Sequence, residues 1–360
     1  MTSLSRPDIE LIIGGAGFIG SNLAARLAAA GRQVLVFDNF SRAGSEHNAA
    51  WLRHQFPSHV QLLQADVRDA DAVAHAVADA RRIFHFAAQV AVTTSLAHPL
   101  TDHAVNTLGT LNVLEAMRRQ PEPPSMVFTS TNKVYGNLPE LKLQHTACGY
   151  EPVDATIRTQ GIDESRPLAF CSPYGCSKGA ADQYVLDYAR TFGLPTAVLR
   201  MSCIYGPRQF GNEDQGWVAH FARQALLGRP ITLYGNGYQV RDILYVDDLI
   251  NAVLSVSNNL PGVSGEAFNV GGGPFNKVSL RSLLDRLAAL QGGMPPINSA
   301  HWRPGDQRYY VSNTARLQRL TGWSARINVG EGIRRLYAWM RQHLDTTATP
   351  SKNGERQLSP

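Results

Sequence analysis

Three glycines at a spacing of three, Gly14, Gly17 and Gly20, stand between an apolar run at residues 9–13 and a stretch of helical periodicity at 18–30. A strand that turns through glycine straight into a helix leaves little choice of fold. The first glycine permits the tight turn, the second lets a ligand approach the backbone, and the third lets helix and strand lie close together. The helix N-terminus then faces whatever sits over the loop and favours negative charge there. Downstream, strand-like runs at 33–37, 60–65, 82–86, 126–130 and 196–200 alternate with helical stretches at 45–56, 69–78, 100–119 and 173–192. That alternation predicts an α/β protein with a doubly wound parallel sheet.

The pattern breaks after residue 200. Residues 206–237 are rich in Gly, Pro, Asn and Asp around one helix at 216–227, and amphipathic helices are expected at 279–291 and 330–343. We expect a dinucleotide-binding domain over 1–200, with 238–275 returning to it as a strand-helix unit at 241–256 and a strand at 267–271. A smaller, mostly helical substrate region is expected from 201–237 and 276–344, and a disordered tail from 345–360. The polar, turn-rich stretch 137–165 is too long for a plain connection and reads as a lid or substrate loop.

Composition narrows the function. Of 360 residues, 44% are hydrophobic and 18% charged, as in ordinary globular proteins. The net charge of +5 is scattered rather than blocked, which argues against a nucleic-acid partner. No run of apolar residues is long enough to span a membrane and no leader is evident, so a cytoplasmic protein is expected. Cys148, Cys171, Cys176 and Cys203 form no C-x-x-C pair and suggest neither zinc nor a disulfide framework.

The chemistry-bearing residues fall at the expected carboxyl ends of strands, where open α/β sheets bind ligands. These are Gly14–Gly20, Asp38, Asp66, Ala87-Ala88-Gln89 and Thr131. Asp38 can accept both hydroxyls of an adenosine ribose and would repel a 2′-phosphate, which favours NAD over NADP; Arg42 is the residue that would pair with such a phosphate. Asp66-Val67 would sit by the adenine, and Asp66 also has the makings of a helix N-cap. Tyr174 and Lys178 are four apart and share a helix face. An ammonium beside a phenol stabilises phenolate, so the Tyr174 pKa is expected to fall toward working pH. His85, ahead of Phe86-Ala87-Ala88, reads as structural.

With these motifs in place, the chain resembles an extended short-chain dehydrogenase/reductase of the nucleotide-sugar epimerase and dehydratase group over about residues 9–343. The resemblance rests on the glycine loop, on Tyr174-x-x-x-Lys178, on Thr131 before Val134-Tyr135-Gly136, and on Arg241-Asp242 after Gly235-Asn236-Gly237. It implies a Rossmann fold, an NAD cofactor, a nucleotide-diphosphate sugar as substrate and a homodimer built on the helices at 100–119 and 173–192. It implies Thr131, Tyr174 and Lys178 as the catalytic set. It extends the cofactor set to Phe18, Ile19, Asn39, Ser41, Val67, Gln89 and Asn106. It assigns the substrate to Asn132, Cys203, Arg208, Gln209, Trp217, Arg241, Arg303 and Asp306, with the arginines at the diphosphate. Asn132 reads as ligand or turn residue, and Trp217 as core or stacking platform.

Two departures refine this. Where the group's dehydratases carry an Asp-Glu pair for elimination, this chain has Asn132-Lys133. Residues 129–136, 172–187 and 208–218, above all Asp214-Gln215-Gly216-Trp217, resemble the branch that inverts C2 of a CDP-hexose. The competing reading is a 4-epimerase of a UDP- or GDP-sugar; a catalytically silent NAD-sensing protein would not need the intact Thr131–Tyr174–Lys178 set.

Overall fold

The computed structural model describes residues 8–303 and 305–344. The N-terminal half alternates as expected, with boundaries close to those read from sequence: β1 (Ile9–Ile13), α1 (Phe18–Ala29), β2 (Gln33–Asp38), α2 (Ser45–Gln55), β3 (Val60–Gln64), α3 (Ala70–Ala78) and β4 (Ala80–His85). There follow α4 (Val92–Ala97), α5 (Pro99–His103), α6 (Gly109–Arg118) and β5 (Ser125–Thr131). The middle of the chain forms β6 (Leu143–Thr146), β7 (Gly149–Pro152), α7 (Ala155–Gln160), α8 (Ser172–Phe192), β8 (Thr196–Met201) and β9 (Cys203–Tyr205). Then come α9 (Trp217–Leu226), β10 (Ile231–Tyr234), β11 (Val240–Tyr245), α10 (Val246–Asn258), α11 (Leu260–Val263) and β12 (Ala267–Val270). The chain closes with β13 (Lys277–Ser279), α12 (Leu280–Gln291), β14 (Ile297–Ala300), β15 (Tyr309–Tyr310), α13 (Ala315–Thr321) and α14 (Val329–Leu344).

Seven strands make the central sheet in the order β12-β8-β5-β4-β1-β2-β3. Every neighbouring pair in it is parallel. Strand order reverses between β1 and β4, and a crevice opens there beyond the carboxyl ends, the usual ligand position of such sheets. Apolar side chains on both faces are fully buried: Ile12, Leu23 and Phe84 belong to one core cluster, and Leu11, Ile13 and Phe128 to the other. This is the double-sided burial that parallel sheets require.

Several expectations need correction. Strand β12 does return to the main sheet, beside β8, but β11 does not. It pairs in parallel with β9 and β15 and antiparallel with β13 instead. Both faces of β11 are buried, so its apolar run looks the same whichever sheet receives it. The helix expected at 100–119 runs without interruption from Pro99 to Arg118, with a π-helical turn at Ala104–Leu108 between α5 and α6. The stretch 137–165, expected as a lid or substrate loop, holds regular elements: the β6–β7 hairpin and α7, whose N-cap Asp154 accepts from the N–H groups of Thr156 and Ile157 at 2.8 and 3.1 Å. The expected tail at 345–360 lies outside the described residues. No helix among the described residues is long and apolar enough to cross a membrane.

Candidate active site

The glycine loop is shaped by close backbone approach. Gly14 has φ +80°, and a Cβ there would lie 2.5 Å from the Ala87 nitrogen at the end of β4. The Gly14 N–H donates to the Phe37 carbonyl at 2.8 Å and the Ala87 N–H to the Ile13 carbonyl at 2.9 Å, so three strand ends close on one point. Gly17 is the N-cap of α1; no side chain caps that helix and no acid stands in its first turn. Its forward N–H groups and positive end therefore remain for an anion. Asp38, at the end of β2, accepts from the Ala16 and Phe40 N–H groups at 2.9 Å each. Burial raises its pKa against those bonds. Each oxygen keeps a lone-pair position for a ribose hydroxyl. An uncapped helix end, a glycine turn that admits no side chain and a carboxylate at the second strand fit an NAD molecule.

The other expected cofactor residues divide into contacts and braces. Phe18, Ile19 and Ala88 line the crevice. Asn39 donates to Asp66 at 2.8 Å and accepts from the Ser41 N–H at 3.1 Å. Asp66 also pairs with Arg68 at 2.7 Å, and those bonds hold its pKa well below the usual carboxylate range. Asp66 is not a helix N-cap; Asp69 caps α3, accepting from Asp71 and Ala72. Val67 is buried and its carbonyl accepts from Asn112 at 3.0 Å. Asn106, in the π-turn, is fully enclosed: it accepts from the Gln89 N–H at 2.9 Å and donates to the Gln89 carbonyl and the Ser177 hydroxyl at 3.0 Å each. It braces the 87–89 loop against α8. Arg42 does not face the Asp38 carboxylate but hydrogen-bonds the side chain of Gln215 across the crevice. His85 is buried, shares a hydrogen bond with Thr110 at 3.1 Å, and burial lowers its pKa to about 3, as a neutral core residue.

A cavity of about 380 Å³ lies between this crevice and the C-terminal region. It brings together Thr131, Asn132, Tyr174, Lys178, Cys203, Gln209, Trp217, Arg241, Arg303 and Asp306. Thr131 ends β5 and Tyr174 sits in the first turn of α8. The Thr131 hydroxyl accepts from the Lys133 N–H at 3.2 Å and stands near enough to the Tyr174 phenol to pull its pKa down. The expected depression of the Tyr174 pKa is absent. Burial pushes it up to about 12, and Thr131 offsets only part of this. The reason lies in Lys178, whose ammonium donates to the Thr129 carbonyl at 2.7 Å and lies 4.1 Å from the Phe128 ring centre. Burial lowers the Lys178 pKa to about 7, against the pull of Asp182 and Asp102.

The expected substrate residues need sorting. Arg208 is not among the residues that line the cavity, and its guanidinium lies 3.0 Å from the ring centre of Trp51 on α2. Arg241 spends its donors on the Val240 carbonyl at 2.8 Å, on Asp306 at 2.7 Å and on the Gln307 carbonyl. Arg303 lies 3.7 Å from the Tyr234 ring centre, donates to the Glu213 carbonyl at 2.9 Å and pairs with Asp214 at 3.4 Å. Trp217 donates its indole N–H to the Cys203 sulfur at 3.4 Å, and burial raises the Cys203 pKa, so the thiol is inert. The Asn132 amide donates to Gln307 at 3.2 Å, and Gln209 donates to the Ile204 carbonyl at 3.1 Å. Sequence reasoning missed Lys133, Gln215, Tyr234 and Gln239, which also line the cavity. The departure from the dehydratase pattern was the available signal for Lys133.

The chain matches the NAD dependent epimerase/dehydratase family over residues 10–271 and belongs to it. It is an NAD-dependent enzyme of that class, with the extended short-chain dehydrogenase/reductase fold. Among curated relatives it is 40% identical to CDP-paratose 2-epimerase of Salmonella typhi, over 91% of this chain and 98% of that one. It is 33% identical to dTDP-glucose 4,6-dehydratase of Streptomyces antibioticus, over 92% of each. Among solved structures, the NAD complex of Thermus thermophilus UDP-glucose 4-epimerase superposes with TM-score 0.78 at 33% identity, covering 92% of this chain and 99% of that one.

Proposed function

We propose that the protein inverts C2 of a CDP-hexose by transient oxidation to a 2-keto sugar and re-reduction on the opposite face. The observation that carries this reading is the pairing of an intact Thr131–Tyr174–Lys178 set with Asn132-Lys133 where elimination would need carboxylates. The 40% identity to CDP-paratose 2-epimerase supports both the base and the carbon. Bound NAD supplies a hydride acceptor that can return the same hydride, together with a cationic ring in its oxidised form. The chain's own residues move the proton. Tyr174 takes it from the sugar hydroxyl, Thr131 holds that hydroxyl in place, and Lys178, anchored on the Thr129 carbonyl, completes the set. The apolar lining from Phe18, Ile19, Phe86 and Val90 keeps water from the keto intermediate.

A CDP-hexose deuterated at C2 is expected to show a primary isotope effect and to keep its label on C2 of the epimer. Deuterium at C4 is expected to have no effect. An isotope effect at C4 alone, or a C4-inverted product, would replace this reading by a 4-epimerase one. A cytoplasmic location is part of the same reading, in keeping with four free cysteines.

The working unit is proposed to be a homodimer. Leu100 is 84% exposed, and Leu96, Leu108, Tyr184 and Phe192 are also exposed. These residues lie on α4, α5, the π-turn after α5, and α8, and exposed large apolar side chains on neighbouring helices are the mark of an interface. Light scattering at micromolar concentration should give twice the 39.3 kDa chain mass. A monomer mass would count against the dimer.

A further inference from the structure

Four cationic side chains line the cavity among the described residues: Lys133, Lys178, Arg241 and Arg303. Lys178 belongs to the reacting end. The two arginines expected to bind the diphosphate are already paired, Arg241 with Asp306 at 2.7 Å and Arg303 with Asp214 at 3.4 Å. Each already has a carboxylate beside it, although Arg241 keeps guanidinium donors beyond its three bonds. Lys133 differs. No ion pair to it is found among the described residues, and its ammonium donates at 3.0 Å to the Gly305 carbonyl. An ammonium has three donors, so two are left for a ligand.

The position of Lys133 defines that ligand. It stands in the short 3₁₀ turn Asn132–Tyr135, two residues beyond Thr131, and its far end reaches the Gly305–Asp306 loop. Its backbone thus follows Thr131 directly, while its ammonium is near enough to Arg241 to feel that charge. The charged and titratable groups facing it are Arg241 on β11, Asp306, Cys203 on β9 and Cys171 ahead of α8. Burial first, and the Arg241 charge second, lower the Lys133 pKa to about 8. Asp306 offsets the repulsion between these two cations only in part, and a phosphate oxygen between them would relieve the rest.

We propose that Lys133 is a substrate-binding residue that grips the non-bridging oxygens of the sugar-bearing phosphate, sharing that phosphate with Arg241. The inference rests on the reading of the cavity as a nucleotide-diphosphate-sugar site, but on neither the base nor the carbon that reacts. Lys133 anchors the sugar from the phosphate side while Thr131 and Tyr174 hold it at the reacting hydroxyl. It also places a donor where a dehydratase places a carboxylate, which binds the substrate through a different atom.

Calorimetric titration of the NAD-loaded protein with CMP, CDP, UMP and UDP tests this without turnover. For the base that the wild type accepts, Lys133→Met should weaken the diphosphate about 10- to 100-fold, the loss of a charged hydrogen bond. The monophosphate, which lacks the second phosphate, should bind as in wild type and shows that the variant is folded. Lys133→Arg should recover most of the diphosphate affinity. In the wild type, CDP affinity should be full below pH 8 and fall above it as the ammonium deprotonates; in Lys133→Met that fall should vanish. Equal loss of mono- and diphosphate, or no loss of either, overturns the proposal. Unchanged CDP binding with weakened CDP-hexose binding also overturns it, because Lys133 would then hold the sugar. A wild type that binds none of the four nucleotides removes the site reading and the proposal together.

Discussion

Replacing Tyr174 by Phe is expected to cut turnover by about 10²- to 10⁴-fold while leaving the fold and bound NAD in place. The substitution removes one oxygen and no packing volume. Tyr174 is buried, and its ring would remain where it is. What is lost is the phenol proposed to take the sugar proton. NAD retention follows because the proposed cofactor contacts of the glycine loop and Asp38 lie on other elements. Raising the pH should not rescue the variant, since a phenyl ring has nothing to ionise. Steady-state rates on the accepted nucleotide sugar, with NAD content measured after denaturation, check both halves. Near-normal turnover would show that another group is the base.

The proton-transfer pair also shows where sequence reasoning reaches its limit. Tyr174 and Lys178 are legible because four residues on a helix is a local relation. The direction of the Tyr174 pKa is not local. It depends on burial under the C-terminal region and on the Thr129 carbonyl that takes up the Lys178 ammonium, 49 positions away. The cations divide in the same way. Arg208, Arg241, Arg303 and Lys133 look alike in a sequence, yet one stacks on Trp51, two are paired with carboxylates, and one forms no ion pair among the described residues.

The fold was legible wherever periodicity was strong. The parallel strands and their helices were placed closely, because a buried strand and an amphipathic helix each carry their own pattern. The β6–β7 hairpin was missed because its strands are short, polar and half-exposed. Its place is fixed by distant residues: His145 packs against Tyr238, and Tyr150 accepts from Asn236 at 2.8 Å. The π-turn was not legible because Asn106, within it, bonds to Gln89 and Ser177, contacts between separate elements. Asn106 was named as a site residue, but its role as a brace was visible only in three dimensions.

The largest stability effect is expected at Asp182. On α8 this carboxylate is fully enclosed and holds Arg200 of β8 through two hydrogen bonds of 2.9 Å. Arg200 in turn donates to the Tyr135 hydroxyl at 3.2 Å, and Tyr135 donates to Asn269 of β12 at 2.8 Å. Asn269 then donates to the Ile162 carbonyl at 2.9 Å. One buried chain of polar groups thus ties α8, two strands of the main sheet and the turn that carries Asn132 and Lys133. Asp182→Ala would leave a guanidinium in the core with no counter-charge, a change that typically costs about 3–5 kcal/mol. Urea unfolding should show the midpoint falling by that measure with an unchanged slope. Asp182→Leu combined with Arg200→Met should recover most of the loss, since an apolar pair has no charge to desolvate. The double variant should nevertheless bind CDP less well than wild type, because Tyr135 loses the Arg200 bond that helps fix the turn bearing Lys133. A loss below about 1 kcal/mol in Asp182→Ala, the range of an exposed pair, would mean that water reaches Arg200 and that the chain of buried groups does not hold the turn.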